Sequence, residues 1–149
     1  MESRLIRFIF SLIVLIIITN NARASNNEQI SLKIFISSSM PLEAIKKYFH
    51  DSRKYNATLI LKGLPNGSVI ELQRFASKIT DNSNHKGNLI IDEEEFDKYK
   101  ITRVPTIVLA YGDSFDKITG NINIKAALEN FAKNGELKEQ AKILLEIHE

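Results

Sequence analysis

A single proline stands immediately before the most apolar strand that the sequence predicts. Pro105 follows the short segment 101–104 and precedes Thr106–Tyr111, which consists of β-branched, aliphatic and aromatic residues. Proline has no backbone N–H, so it is accepted at the first residue of a strand but not in its middle. This stretch therefore predicts a turn, then the proline, and then an apolar strand.

The rest of the chain alternates between strand and helix patterns. Residues 30–36 alternate with a period of two, and residues 58–62 are almost continuously apolar, as in an interior strand. Alternation of strands and helices predicts an α/β layer architecture whose first two strands run parallel. Further strands are predicted at residues 88–91, 105–111 and around 117–119, and helices near residues 41–55, 69–79, 92–99, 123–135 and 137–148.

Residues that cap helices well stand at several of these boundaries. Ser37, Ser38 and Ser39 precede Pro41, a residue preformed for the first helical turn, so we expect the serines to cap the first helix. Capping is also predicted at Ser68 with Glu71, at Asp92 with Glu95 and at Asn123, and Gly135 is predicted to end a helix.

The first 24 residues have the form of a secretory signal peptide. Arg4 and Arg7 precede an apolar run over residues 8–18, and an A-x-A cleavage signature ends at Ala24. The run is shorter than the roughly 20 apolar residues of a membrane span. We therefore predict an exported protein that is cleaved after Ala24. The alternative is an uncleaved anchor, and in that case the membrane is contacted only through this segment.

Without this segment the chain is formally neutral. It keeps 20 − 3 = 17 basic and 18 − 1 = 17 acidic residues, with no evident cluster of lysine and arginine. Such a balance argues against nucleic acid as a partner and gives no reason to expect electrostatic membrane binding. The remaining 149 − 24 = 125 residues suit a short tail at 25–29 and one domain over 30–149.

The sequence contains no cysteine, so neither disulfides nor thiol chemistry are available to it. A serine nucleophile among residues 37–39 would need a base, but His50 lies at the far end of the same predicted helix, His85 in a polar loop and His148 at the C-terminus. The acidic run at residues 92–95 is typical of a helix N-terminus. We predict no catalytic residue, no cofactor and no metal.

Four blocks of the sequence resemble a known family. They are Ser37-Ser38-Ser39-Met40-Pro41, the stretch from Leu61 to Ser68 with Gly63-Leu64-Pro65-Asn66, the stretch from Ile91 to Phe96, and Val104-Pro105-Thr106. In this order they are similar to the TrbC family of F-type conjugative transfer systems, periplasmic proteins of pilus assembly. The similarity runs from about residue 34 to residue 131, which is nearly all of the mature chain.

The resemblance implies a thioredoxin-like α/β fold, with a central mixed sheet of four to five strands flanked by helices. In such folds a cis-proline loop faces the turn that carries a C-x-x-C pair. Here Pro105 would be the cis-proline, and the cysteine positions would fall around residues 37–40, where this chain has none.

The function implied is that of a non-enzymatic component of a conjugative type IV secretion system. It would assist pilus assembly by binding another assembly protein or pilin through the cis-proline groove. A general periplasmic chaperone, or a redox-inactive thioredoxin-like peptide binder, is the alternative. The expected partner-binding residues are Ser37, Ser38, Ser39, Met40, Pro41, Arg103, Val104, Pro105 and Thr106.

Overall fold

The computed structural model describes residues 29–80 and 88–148. The predicted signal peptide, its cleavage site, most of the tail and the loop with His85 lie outside these residues. The strands of the described part are β1 (Ser31–Ile36), β2 (Thr58–Leu61), β3 (Asn88–Ile91), β4 (Thr106–Tyr111) and β5 (Ser114–Thr119). Its helices are α1 (Leu42–Lys54), α2 (Val69–Thr80), α3 (Glu93–Lys98), α4 (Ile124–Asn134) and α5 (Lys138–Ile147), with a single 3-10 turn at Pro65–Gly67.

The strands form one mixed sheet in the order β3-β2-β1-β4-β5. β1 and β2 run parallel, as predicted, with Ile34 opposite Leu59, and β3 continues the parallel half beside β2. β4 runs antiparallel to β1, with Ile34 also opposite Ile107, and β5 returns antiparallel to β4. β1 is therefore the central strand, and β2 is an interior strand as its apolar character indicated.

The two faces of the sheet are covered by different helices, because successive side chains of a strand point to opposite faces. Ile34, Leu59 and Ile107 are fully buried on one face under α1, α2, α4 and α5. Phe35 and Ile60 are fully buried on the other face, where Phe96 and Tyr99 from α3 and the residue after it complete a smaller cluster. The core thus consists of two layers, one on each side of a shared sheet.

Three of the predicted helix caps are confirmed by hydrogen bonds. The Asp92 carboxylate accepts from the Glu95 N–H at 3.0 Å, and the Asn123 side chain accepts from the Ala126 N–H at 2.8 Å. The Ser68 hydroxyl accepts from the Glu71 N–H at 3.3 Å. In each case a short polar side chain satisfies an N–H of the first turn that has no partner within the helix.

The expectation that serines 37–39 cap α1 is wrong. Pro41 is the N-cap residue, with φ −54° and ψ 130°, and no side chain caps this helix. The N–H groups of Ala44 and Ile45 donate instead to the Pro41 carbonyl, at 3.0 and 3.2 Å. Because the chain is still extended at Pro41, the serine hydroxyls lie too far upstream to reach the first helical turn.

The predicted fold class is confirmed. A parallel β-α-β half and an antiparallel β-β-α half share one five-stranded sheet, with helices on both faces and a cis peptide bond between Val104 and Pro105 just before β4. This is an α/β fold of the thioredoxin-like type. No helix of the described part has both the length and the apolar character that crossing a membrane requires.

Candidate functional site

The serine turn and the proline loop lie at the same end of the sheet. The β1–β4 pairing ends with Phe35 opposite Thr106, so the chain beyond Phe35 and the chain before Thr106 both continue past this end. The serine turn (residues 37–41) follows β1, and the proline loop (residues 103–105) precedes β4. The structure therefore places at one end of the sheet two segments that are more than sixty positions apart in the sequence.

Hydrogen bonds hold the proline loop against β5. The buried Thr106 hydroxyl donates to the Arg103 carbonyl at 2.7 Å and also lies 2.8 Å from the Thr119 hydroxyl. The Gly120 N–H donates to the Pro105 carbonyl at 2.9 Å. These bonds fix the backbone on both sides of Val104 while the Arg103 side chain remains exposed.

Val104 itself keeps its backbone polar groups available. Neither its N–H nor its carbonyl makes a hydrogen bond to any residue in the ranges 29–80 and 88–148. The residue is half-buried, as is Pro105. A free backbone donor and a free acceptor on one residue are what an added strand uses to pair with a protein.

The serine turn is closed by its own hydrogen bonds. The Met40 N–H donates to the Ser37 carbonyl at 3.1 Å, and the Ser37 hydroxyl accepts from the Ser39 N–H at 3.2 Å. The Ser37 and Ser39 hydroxyls are 2.9 Å apart. Ser38, Ser39 and Pro41 are exposed, whereas Met40 is half-buried and packs against the main core. The turn presents small polar groups on a rigid backbone.

Neither described histidine is placed to activate these serines. The His50 ring lies 3.2 Å from the Asp51 carboxylate on the exposed side of α1. The His148 ring packs edge-on against Tyr55, with ring centroids 5.2 Å apart. His85 is outside the described residues. The Ser37 and Ser39 hydroxyls instead lie within hydrogen-bonding distance of each other, and the Ser37 hydroxyl also accepts from the Ser39 N–H.

A tyrosine that the sequence analysis did not single out is hydrogen-bonded to the segment that holds the proline loop. The buried Tyr48 hydroxyl of α1 donates to the Ile122 carbonyl at 2.8 Å. Burial and the nearby Asp51 charge raise the pKa of Tyr48, although its hydrogen bond to Ile122 acts in the opposite direction. Ile122 in turn donates its N–H to the Gly120 carbonyl at 2.9 Å, and Gly120 holds Pro105. No sequence signal marked this contact, because Tyr48 also fits the apolar stripe of α1.

The acidic run at residues 92–95 is used by the fold. Asp92 caps α3, and Glu95 forms an ion pair with Lys33 of β1. Burial lowers the pKa of Lys33, but hydrogen bonds to Glu95 and Tyr99 raise it more, so the net pKa lies above the usual 10.5. Among residues 29–80 and 88–148, no three histidine, aspartate or glutamate side chains group in a way that would hold a metal ion.

Comparison with known proteins identifies relatives of this chain. The family model TrbC_Ftype matches residues 34–131 of this chain; it describes the pilin assembly protein of type-F conjugative transfer systems. "Periplasmic protein TrbC" of Escherichia coli (strain K12) is 28% identical over 111 residues, which are 74% of this chain and 52% of that protein. The chain therefore spans about half the length of this relative.

Two solved structures are similar in fold. StoA from Bacillus subtilis aligns with a TM-score of 0.47 and 18% identity, over 69% of this chain and 82% of StoA. A secreted Mycobacterium tuberculosis disulfide oxidoreductase homologous to E. coli DsbE aligns with a TM-score of 0.46 and 14% identity, over 78% of this chain and 82% of that protein.

Proposed function

The chain belongs to the TrbC family of type-F conjugative transfer system pilin assembly proteins, and on that premise we propose that it assists pilus assembly by binding another assembly protein or pilin. The proposed binding surface, which we call the cis-proline groove, consists of the serine turn, the proline loop and Thr106. Binding there adds an extended segment of the partner beside Val104.

The observation that carries this proposal is the unpaired backbone of Val104 beside the cis-proline. Thr106 and Gly120 hold the loop, so the Val104 donor and acceptor are fixed in place before a partner arrives. A preformed site loses less conformational entropy on binding than a flexible loop does. The exposed Arg103 and Ser38 flank the groove and supply side-chain contacts to the partner.

The proposed role is non-enzymatic. Disulfide exchange requires a thiolate as the attacking group, and the chain has no cysteine. We propose that the thioredoxin-like architecture serves here to bind a peptide and carries out no redox chemistry. The relative from E. coli is named a periplasmic protein, which agrees with the predicted signal peptide, and we place the mature chain in the periplasm.

Site-specific photocrosslinking in cells that carry the transfer system tests this proposal. A benzophenone side chain is introduced at Ser38 or at Arg103, both exposed at the groove, and at Ile147 of α5 as a matched exposed control. We expect the two groove positions to give the same crosslinked protein, identified by mass spectrometry as pilin or an assembly protein of the same system. The control position should give no such product.

Two results would contradict this assignment. A product of equal yield from Ile147 would show that the groove is not the contact surface. Products with many unrelated exported proteins would favour the alternative, a general periplasmic chaperone or redox-inactive peptide binder. As a second readout, Arg103→Glu should lower crosslinking from Ser38, whereas the exposed Lys138→Glu on α5 should not change it.

A further inference from the structure

A groove runs along α1 on the side that faces the start of α4. One hollow of about 350 Å³ is lined by α1 side chains and by residues at the start of α4. A second hollow of about 210 Å³ adjoins it and shares Lys47 and Asn123 with it. We call the two together the α1–α4 groove; its polar lining includes Lys47, His50, Asp51, Lys54, Asn123 and Lys125.

The charges that line this groove are mostly positive. Lys47, Lys54 and Lys125 contribute three ammonium groups, and Asp51 is the one carboxylate among the described lining residues. Lys47 is paired with Asp51, so the charge of this aspartate is already neutralised. The groove therefore carries a net positive charge in a chain that is formally neutral without its first 24 residues.

Lys54 and Lys125 are available for an anionic ligand. The Lys54 ammonium lies 5.5 Å from the Tyr55 ring centroid and makes no ion pair with any residue in 29–80 or 88–148. Lys125 lies 4.0 Å from Glu129, with 58% and 56% of the two side chains exposed. An exposed pair at this distance holds its partners only weakly.

This cluster corrects the expectation that the mature chain has no basic patch. Lys47, His50 and Lys54 recur at helical spacing, so they share one side of α1. Lys125 comes from the start of α4, which is distant in sequence but packs beside α1. The fold assembles a charge cluster that no short stretch of the sequence contains.

We propose that the α1–α4 groove binds an acidic segment of another protein chain. Complementary charge across an interface favours association and orients the partner. Three cations are too few for nucleic acid, whose binding typically neutralises about 6–10 phosphates. A concave groove receives a narrow chain, whereas a lipid surface contacts protruding residues. The site is separate from the cis-proline groove, so it can be tested independently.

The test uses the exported protein, purified after expression of the full-length gene. The probe is a fluorescein-labelled dodecapeptide of alternating glutamate and alanine, and its binding is followed by anisotropy at low salt, where charges are least screened. We expect the double variant Lys54→Glu/Lys125→Glu to bind the peptide with an affinity at least about tenfold lower than that of the wild type. Asp51→Asn, which removes the one carboxylate, should bind more tightly.

A matched double variant controls for net charge. Lys98→Glu/Lys100→Glu changes the charge by the same amount on the α3 side of the sheet, and both lysines are exposed. Its affinity should equal that of the wild type. An equal loss in both double variants, with thermal unfolding unchanged, would overturn the proposal. A second result would also overturn it. In that case the wild type does not bind the peptide but binds vesicles that contain anionic phosphatidylglycerol, and Lys54→Glu/Lys125→Glu abolishes this vesicle binding.

Discussion

The Tyr48 hydroxyl connects α1 to the segment that holds the proline loop. Replacing Tyr48 by phenylalanine keeps the ring in the core but leaves the Ile122 carbonyl without its donor. We expect the free energy of unfolding to fall by about 1 kcal/mol, measured by urea unfolding. Tyr55→Phe is the matched control, because the Tyr55 hydroxyl donates to no described residue. An equal loss in both variants would contradict the role of this hydrogen bond.

The ionisation of Asp51 should make the stability of the domain depend on pH. Burial alone would raise the pKa of Asp51, but hydrogen bonds with Lys47 and His50 lower it by more than burial raises it. The net pKa therefore lies below the usual 3.8. A folded-state pKa below the unfolded value stabilises the protein above about 3.8 and loses this effect as the pH falls through the folded value. Asp51→Asn should therefore flatten the loss of stability below this pH. Urea unfolding at several acidic pH values measures the free energy of unfolding of the wild type and of Asp51→Asn. Parallel pH dependences in the two proteins would contradict this role of Asp51.

The α4–α5 connection depends on a carboxylate from β5. The Asp116 side chain accepts hydrogen bonds from the Glu136 N–H at 2.9 Å and the Leu137 N–H at 2.8 Å. Gly135 is needed there because a side chain would run into the Asp116 carboxylate and the Phe131 carbonyl, and not because of its backbone angle, since its φ is −78°. The helix end at Gly135 was thus predicted correctly, but for a different physical reason.

Removing this carboxylate should loosen α5 before the rest of the fold. Asp116→Ala leaves two N–H groups without their partner, so we expect a loss of about 1–3 kcal/mol and faster hydrogen exchange of α5 amides. Ser114→Ala is the control on the same strand, because it removes only the exposed hydrogen bond from Ser114 to Glu136. Unchanged exchange in α5 of Asp116→Ala would count against the capping role.

Local signals were sufficient for most elements but not for every cap. Asp92 and Asn123 were predicted as caps because the side chain and the N–H that it satisfies are three residues apart. The serine turn looked similar in sequence, but the extended conformation of Pro41 separates it from the helix. Asp116 was not predicted, since its two donors lie about twenty positions further along the chain.

The topology of the sheet and the geometry of the site needed information beyond local pattern. Alternation predicted parallel β1 and β2, but nothing local indicated that β3 would pair with the outer edge of β2. The resemblance brought the serine turn and the proline loop together, whereas the Tyr48–Ile122 contact joins residues 74 positions apart. The basic α1–α4 groove has the same origin, because charges on separate elements meet only after folding.

The two core layers share one sheet, so we expect the domain to unfold as a single unit. Phe96→Ala tests this from the smaller layer, where the Phe96 ring stands edge-on to the fully buried Phe35 at 4.9 Å between centroids. The cavity should lower the free energy of unfolding by about 3–5 kcal/mol. Because Phe35 lies in the central strand, far-UV circular dichroism and hydrogen exchange of α4 should report the same loss. Phe96→Leu, which fills most of the space, should lose less. Two separate transitions, or unaltered protection of α4, would mean that the α3 layer unfolds independently.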